Sequence, residues 1–292
     1  VEQPAYPTHE FGGLVFLYMG PPEKQPRFPL YDVFTPRSHD VALRGMKIWG
    51  DYSVGYVKDC NWLQHYENVV DPWHLLILHQ ANSGEQFRGA MVQGVPRISF
   101  EKTALGVRYN VVRDLPNGNR FARHAECVLP NIYLVPNLHE SGVEPKRQDR
   151  CSEISWCVPI DNEHITAFSI VAWPLENGGP KKDWRPRTDT VLDIRPATVN
   201  RPYEERQRHP DDLEAQESQR TIAIHALENL GTSDLGIVML RKLLREQLAR
   251  IERGDDPINI VRGAAADRAI ETHAWNTILS RDEAERHRDE DV

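Results

Sequence analysis

Between Arg97 and Trp173 apolar residues recur at every second position: Ile98 and Phe100, then Leu105, Val107 and Tyr109, then Ile132 and Leu134, then Ile154, Trp156 and Val158. A period of two is that of strands with one buried face. Turn-forming clusters, Pro116-Asn117-Gly118-Asn119 and Asp161-Asn162-Glu163, separate the runs, and His164 to Trp173 is rich in Ile, Thr, Phe and Val. Such short connections predict antiparallel hairpins, because βαβ units need a crossover helix. Helical spacing replaces this pattern at both ends of the chain. Asn61 to His79 is predicted as a helix interrupted at Asp71-Pro72, since Pro72 lacks an N–H and must kink the helix or start a new one. Asp212 to Leu230 is predicted as a helix closed by Gly231. Thr232-Ser233-Asp234 then caps another, running to about Glu252 and ended by Gly254, with Leu235, Val238, Leu243, Leu244, Leu248 and Ile251 on its apolar face. The first 40 residues are proline-rich and read as a connector with one short strand, Leu14 to Tyr18. Val41 to Val54 reads as β or irregular, Trp184 to Pro210 as irregular, and Arg281 to Val292 as charged and frayed. Helix, antiparallel sheet and closing helices together define an α+β class.

Composition narrows the function. The chain has 292 residues, 40% of them hydrophobic, enough for one large domain or two smaller ones. A net charge of −8 argues against nucleic acid as a partner. No apolar run reaches the roughly 18 residues of a membrane span, so no membrane association is expected. Cys60, Cys127, Cys151 and Cys157 form no Cys-x-x-Cys pair, which is ordinary usage for a reduced, cytoplasmic protein.

The candidate chemistry lies in Asn61 to His79. Two imidazoles suit iron, zinc, copper or nickel. On a regular helix, residues five apart such as His74 and His79 lie about 140° apart, so they converge only if the helix is distorted, and Pro72 offers a distortion. Trp73, Leu75, Leu76, Ile77 and Leu78 give the pair an apolar setting that restricts water. No His-Glu-x-x-His is present, which leaves a zincin protease unsupported. Spacing alone does not separate a metal pair from two structural histidines.

The string Asn61-Trp62-Leu63-Gln64, Glu67-Asn68, Asp71-x-x-His74-x-x-x-x-His79 resembles the catalytic-domain signature of Rieske non-haem iron ring-hydroxylating oxygenases. The branch it resembles most is the phthalate dioxygenase-like one, which includes aryl O-demethylases. Ala5 to Pro21 resembles the end of that family's Rieske domain running into the catalytic domain. Asp212 to Asp234, and Val158-Pro159-Ile160-Asp161 before His164, fit the same pattern.

The resemblance implies a helix-grip type catalytic domain, with a long antiparallel β-sheet and flanking helices. It divides the chain into the tail of a Rieske domain and connector (1–25), a mononuclear iron domain (26–280) and a charged terminus (281–292). His74, His79 and Asp212 are implied as Fe(II) ligands, with adjacent Asp211 the competing carboxylate. Asp71 is implied as the bridge to the Rieske cluster of a neighbouring subunit, and Asn68 as a polar residue close to iron. His65, Tyr66, Gln80, Arg97 and Arg108 are candidates for polar contact with substrate. An arginine there would favour an aromatic carboxylate.

The implied activity is that of a terminal oxygenase component, a mono- or dioxygenase that hydroxylates or O-demethylates an aromatic compound. Its implied partners are further copies in a homotrimer, and a flavin/iron-sulfur reductase, with or without a ferredoxin, drawing on NAD(P)H. The [2Fe-2S] cluster needs Cys-x-His and Cys-x-x-His, which this sequence lacks. Val1 begins inside the family pattern, so the cluster domain is expected upstream. Two alternatives stay open: a non-catalytic helix-grip domain binding an apolar ligand, and a zinc hydrolase on the same ligands.

Overall fold

Among the described residues, ten strands form a single sheet in which every pairing is antiparallel. The computed structural model describes residues 5–35, 40–48, 57–82, 89–138, 140, 142–177, 179–181, 202–263 and 268–286. The strands are β1 Thr8–Phe11, β2 Leu14–Leu17, β3 Val41–Ile48, β4 Arg97–Lys102, β5 Gly106–Asp114 and β6 Arg120–Val128. They continue as β7 Ile132–Leu134, β8 Lys146–Arg150, β9 Glu153–Pro159, β10 Ile165–Glu176, β11 Gly179–Pro180 and β12 Trp275–Leu279. The helices are α1 Trp62–Asn68, α2 His74–Leu76 (continued by a π-helical turn, Ile77–Asn82), α3 Tyr203–Arg208, α4 Asp212–Glu217, α5 Leu235–Glu252 and α6 Arg281–Arg286. The chain is thus mixed helix and antiparallel sheet, as its periodicities predict.

Strand β6 is the centre of the sheet. It pairs with β5 from Gly106↔Val128 to Asp114↔Arg120, and on its other edge with β12 and β7. All nine of its residues are buried, although Arg120, Arg123, His124 and Glu126 are polar. Buried polar groups need partners, and these have them. Arg123 donates to Asn276 Oδ1, Asn137 O and Pro136 O, His124 Nδ1 lies 2.6 Å from Asn110 Oδ1, and Glu126 accepts from Thr103 Oγ1 and the His273 N–H. This strand is invisible to an apolar-alternation reading because its side chains are satisfied by long-range hydrogen bonds. β12 escapes it for a similar reason, its Asn276 being buried against Arg123 and Asn137, and β8 because it is an exposed, polar edge strand.

Hairpin β1–β2 turns at Gly12 (φ 58°) and Gly13 (φ 85°), a left-handed conformation that favours glycine. Its inward Phe11, Leu14 and Phe16 pack on a core that includes Phe34, Ile154 and Ile170. The second core lies under α5. Leu240 and Leu243 meet Val107 of β5, Cys127 of β6, and Tyr66, Val69 and Val70 from the end of α1. Gly236 permits this approach, since a Cβ there would stand 2.5 Å from the Phe100 ring and 2.7 Å from Val70 O. Helix α5 therefore presses against the segment that leads into Asp71.

Four sequence expectations are corrected. Of the apolar face expected on α5, Leu235, Val238, Leu248 and Ile251 are exposed, and the helix buries Gly236, Leu240, Leu243 and Gln247. The helix starting at Asp212 ends at Glu217, not Leu230. Arg220 takes a positive φ of 78°, and the irregular segment that follows, before a 3-10 turn at His225–Leu227, is bound to α1. Gln64 Nε2 donates to Arg220 O, the Ala223 N–H donates to Gln64 Oε1, and the Asn61 N–H donates to Thr221 O. Within Trp184 to Pro210, read as irregular, Tyr203–Arg208 is helical, while 182–201 lie outside the described residues. At the charged terminus, Arg281–Arg286 is helical rather than frayed, because Ser280 and Glu283 cap each other reciprocally and Ala284 is buried. Residues 287–292 lie outside the described residues.

Candidate metal centre

Asn61 starts the site by capping α1, its side chain accepting from the Leu63 N–H at 3.0 Å. The helix tightens at its end, where the Val70 and Asp71 N–H groups donate to Glu67 O and Asn68 O. Asp71 then restarts the chain: its Oδ1 accepts from the Trp73 N–H at 3.0 Å, and Pro72 needs no N–H partner. After one α turn the backbone widens into the π turn Ile77–Asn82. Bonds from i to i+5 place residues five apart on nearly one face. His79 lies within this wider turn and His74 in the α turn before it, and their ring centroids are 5.3 Å apart.

The carboxylate comes from α4. Asp211 is its N-cap, accepting from the Asp212 N–H at 2.7 Å, while the Asp211 N–H donates to Glu214 Oε2 at 2.8 Å. The capping Asp211 Oδ1 lies 3.8 Å from His79 Nδ1 alone, whereas Asp212 faces both histidines. Its Oδ1 lies 3.2 Å from His79 Nε2 and 3.8 Å from His74 Nε2. Ligand-type atoms of His74, His79 and Asp212 all lie within 4.8 Å of one another. His74 Nδ1 hydrogen-bonds the carbonyl of Asp71, which leaves Nε2 as the lone-pair nitrogen. Asp212 Oδ1 is buried and faces both nitrogens. Three ligand-type atoms converging on one point suit a cation, and two imidazoles with one carboxylate fit non-haem iron(II).

Electrostatics follow the same lines. Burial pushes the Asp212 carboxyl up, but His79, His74 and Lys58 outweigh it and hold the group well below the usual carboxylate range. Burial and the adjacent Asp212 raise Asp211. Burial also raises Asp71, whose Oδ2 lies 4.0 Å from His74 Nδ1. Asn68 is half-buried at the end of α1, and its side-chain amide makes no hydrogen bond among the described residues.

The substrate candidates are dispersed. Tyr66 is fully buried, its hydroxyl 2.9 Å from Val128 O and 3.0 Å from Ile132 O, which ties α1 to the β6–β7 turn. Arg97 is exposed and forks onto Asp114. Arg108 pairs with Glu101 and lies over Trp275, on the β5 face opposite Val107, which meets α5. The side chain of Gln80 lies outside the described residues. His65 is buried in a cluster that sequence reasoning missed, with Lys58, Gln216 and Tyr133. Gln216 had a signal, its position four residues after Asp212. Lys58 had none.

Two predictions arise here. Asparagine is as good an N-cap as aspartate. Asp211→Asn should therefore keep both fold and metal affinity, whereas Asp212→Asn should lose metal with little change in melting temperature. Metal titration of the two variants checks this, and the reverse ranking would make Asp211 the ligand. The second concerns His65, which burial and then the Lys58 charge push down to about 3. An unfolded histidine titrates near ~6.5. Above that both states are neutral, and below it the unfolded chain binds a proton that the native state refuses. The contribution of His65 to stability is thus full above ~6.5 and falls as pH drops toward about 3, by up to ~1.4 kcal/mol per pH unit. Urea denaturation at pH 7, 6, 5 and 4 should give a shallower acid decline for His65→Gln than for the wild type. Equal slopes would contradict the assignment.

No family model matches the chain. It is 33% identical over 288 residues to the phenoxybenzoate dioxygenase subunit alpha of Ectopseudomonas oleovorans, a match covering 97% of this chain and 66% of that protein. It is 33% identical over 307 residues to the tert-butanol monooxygenase / tert-amyl alcohol desaturase oxygenase subunit of Aquincola tertiaricarbonis, covering 99% of this chain and 62% of that protein. A 5,5'-dehydrodivanillate O-demethylase oxygenase subunit from a Sphingobium species is 30% identical over 276 residues, covering 91% and 57% respectively. The chain thus spans 57–66% of the length of these curated relatives.

Proposed function

The chain belongs to the oxygenase-subunit family of Rieske-type aromatic ring-hydroxylating and O-demethylating systems, and on that premise we propose that it is the iron-bearing part of a terminal oxygenase. His74, His79 and Asp212 hold one Fe(II). The observation that carries this reading is the convergence of ligand-type atoms of His74, His79 and Asp212 within 4.8 Å of one another, around a buried Asp212 Oδ1. Bound iron would supply O₂ activation at the positions that a two-histidine, one-carboxylate face leaves open. The protein's own residues do the rest. Asp71 O orients His74 through Nδ1, Asp211 fixes the start of α4, and the half-buried Trp73 and Leu75 limit water beside the ligands.

We read the sheet and α5 as a helix-grip arrangement, with 26–280 as the iron domain, 1–25 as the end of a cluster domain and its connector, and 281–292 as a terminal appendage. The ligands of a [2Fe-2S] Rieske cluster lie outside this sequence. The exposed third of Asp71 suits contact with a neighbouring subunit, so a homotrimer is proposed, served by a flavin/iron-sulfur reductase drawing on NAD(P)H. Four free, buried cysteines are consistent with the cytoplasm, and no helix among the described residues is long and apolar enough to cross a membrane.

The proposed substrate is an aromatic carboxylate that is hydroxylated or O-demethylated. One relative is named for phenoxybenzoate, which supports the class, whereas an equally identical one is named for tert-butanol. The test uses nitric oxide as an oxygen surrogate. Iron-loaded protein should give a high-spin nitric-oxide signal whose line shape shifts on saturation with phenoxybenzoate but not with tert-butanol. No nitric-oxide signal would refute an open iron site. A shift with tert-butanol alone would replace the substrate class.

A further inference from the structure

Behind Asp212 lies a buried polar cluster contributed by four separate elements. Lys58 Nζ donates to Gln216 Oε1 at 2.8 Å, His65 Nδ1 lies 3.1 Å from the same oxygen, and His65 Nε2 lies 3.4 Å from the Tyr133 hydroxyl. All four side chains are buried. Lys58 is the donor to Gln216, so the amide presents its oxygen to it. Lys58 Nζ also lies 3.4 Å from His65 Nδ1, so the lysine and Gln216 Oε1 both face that ring nitrogen. Gln216 Nε2 makes no hydrogen bond, so the amide is held through its oxygen alone.

Gln216 sits one turn after Asp212 on a helix of only six residues. So short a helix has little stability of its own. Its placement depends on what holds it against α1: the Lys58 and His65 contacts to Gln216, the Gln64 Nε2 bond to Gln216 O at 3.1 Å, and the Asp59 N–H to Glu217 Oε1 at 3.1 Å. The chain from 58 to 65 leads directly to the histidines, whereas α4 carries the carboxylate. Lys58 is also close enough for its charge to act on Asp212.

We infer that Lys58, acting through Gln216, is a positioning residue that holds the carboxylate of Asp212 in register with His74 and His79. This rests on the iron reading above. Chelator-competition titration of Fe(II) tests it with four variants. Lys58→Met and Gln216→Leu remove the clamp, Gln216→Glu keeps an acceptor for Lys58, and Ile170→Val loosens a core outside this cluster. The expected result is an affinity about tenfold or more weaker for the first two, within about threefold of wild type for Gln216→Glu, and unchanged for Ile170→Val. The nitric-oxide line shape should broaden in Lys58→Met and recover in Gln216→Glu, which a general loss of stability would not produce. Wild-type affinity in Lys58→Met and Gln216→Leu, or an equal loss in Ile170→Val, would overturn the inference while leaving the iron site standing. Failure of the wild type to bind Fe(II) would instead sink the iron reading itself.

Discussion

His79→Ala should be a folded protein that no longer binds iron. His79 is buried, and its Nε2 lies nearer Asp212 Oδ1 than that of His74 does. Among the described residues, its group is the one whose histidine and carboxylate atoms converge as metal ligands do. Losing an outer partner of a metal ligand typically costs about 10–100-fold in affinity, and losing one of three ligands should exceed about 100-fold. The structural cost should be far smaller, on the order of 1–3 kcal/mol, as for an ordinary buried truncation. Iron content after anaerobic loading, read beside a thermal melt, separates the two effects. Retained iron in a well-folded His79→Ala would move the metal elsewhere.

The largest stability loss is expected at Arg241. Its guanidinium, on α5, grips both oxygens of Glu67 at 2.5 and 2.7 Å and both oxygens of Glu228 at 2.6 and 3.0 Å. Glu67 is buried at the end of α1, and Glu228 belongs to the segment after α4. One residue thus ties the histidine side, the carboxylate side and the long helix together. Arg241→Ala leaves Glu67 as a buried carboxylate without its partner, a change that costs about 3–5 kcal/mol in comparable pairs. For a chain of this size that is roughly a 10 °C fall in melting temperature. Arg241→Lys should recover only part of it, because an ammonium cannot reproduce the two-pronged geometry. Calorimetry of both variants checks the ranking, and a melt within about 2 °C of wild type for Arg241→Ala would contradict it.

These expectations show what could be read in advance. Strands with an apolar face, such as β5 and β9, were legible from their period of two. Strand β6 was not, because Arg123 and Glu126 are buried through partners distant in sequence. The break at Pro72 was legible, yet the π turn that carries His79 is announced by no local pattern. Asp211 and Asp212 could not be separated by spacing, and it is the cap geometry that gives them different places. The helix from Asp212 looked longer than it is because the competitor for its backbone, Gln64, lies about 150 residues upstream. Glu67 stood inside the quoted motif, but its partner Arg241 lies on a helix read only for its apolar face.

The central claim is one iron held by two histidines and one carboxylate. Its most direct test is the metal content of protein loaded anaerobically with Fe(II), alongside His74→Ala and Asp212→Asn prepared identically. The account predicts one iron per wild-type chain and near-zero iron in both folded variants. Near-zero iron in the wild type, or undiminished iron in Asp212→Asn, would contradict it.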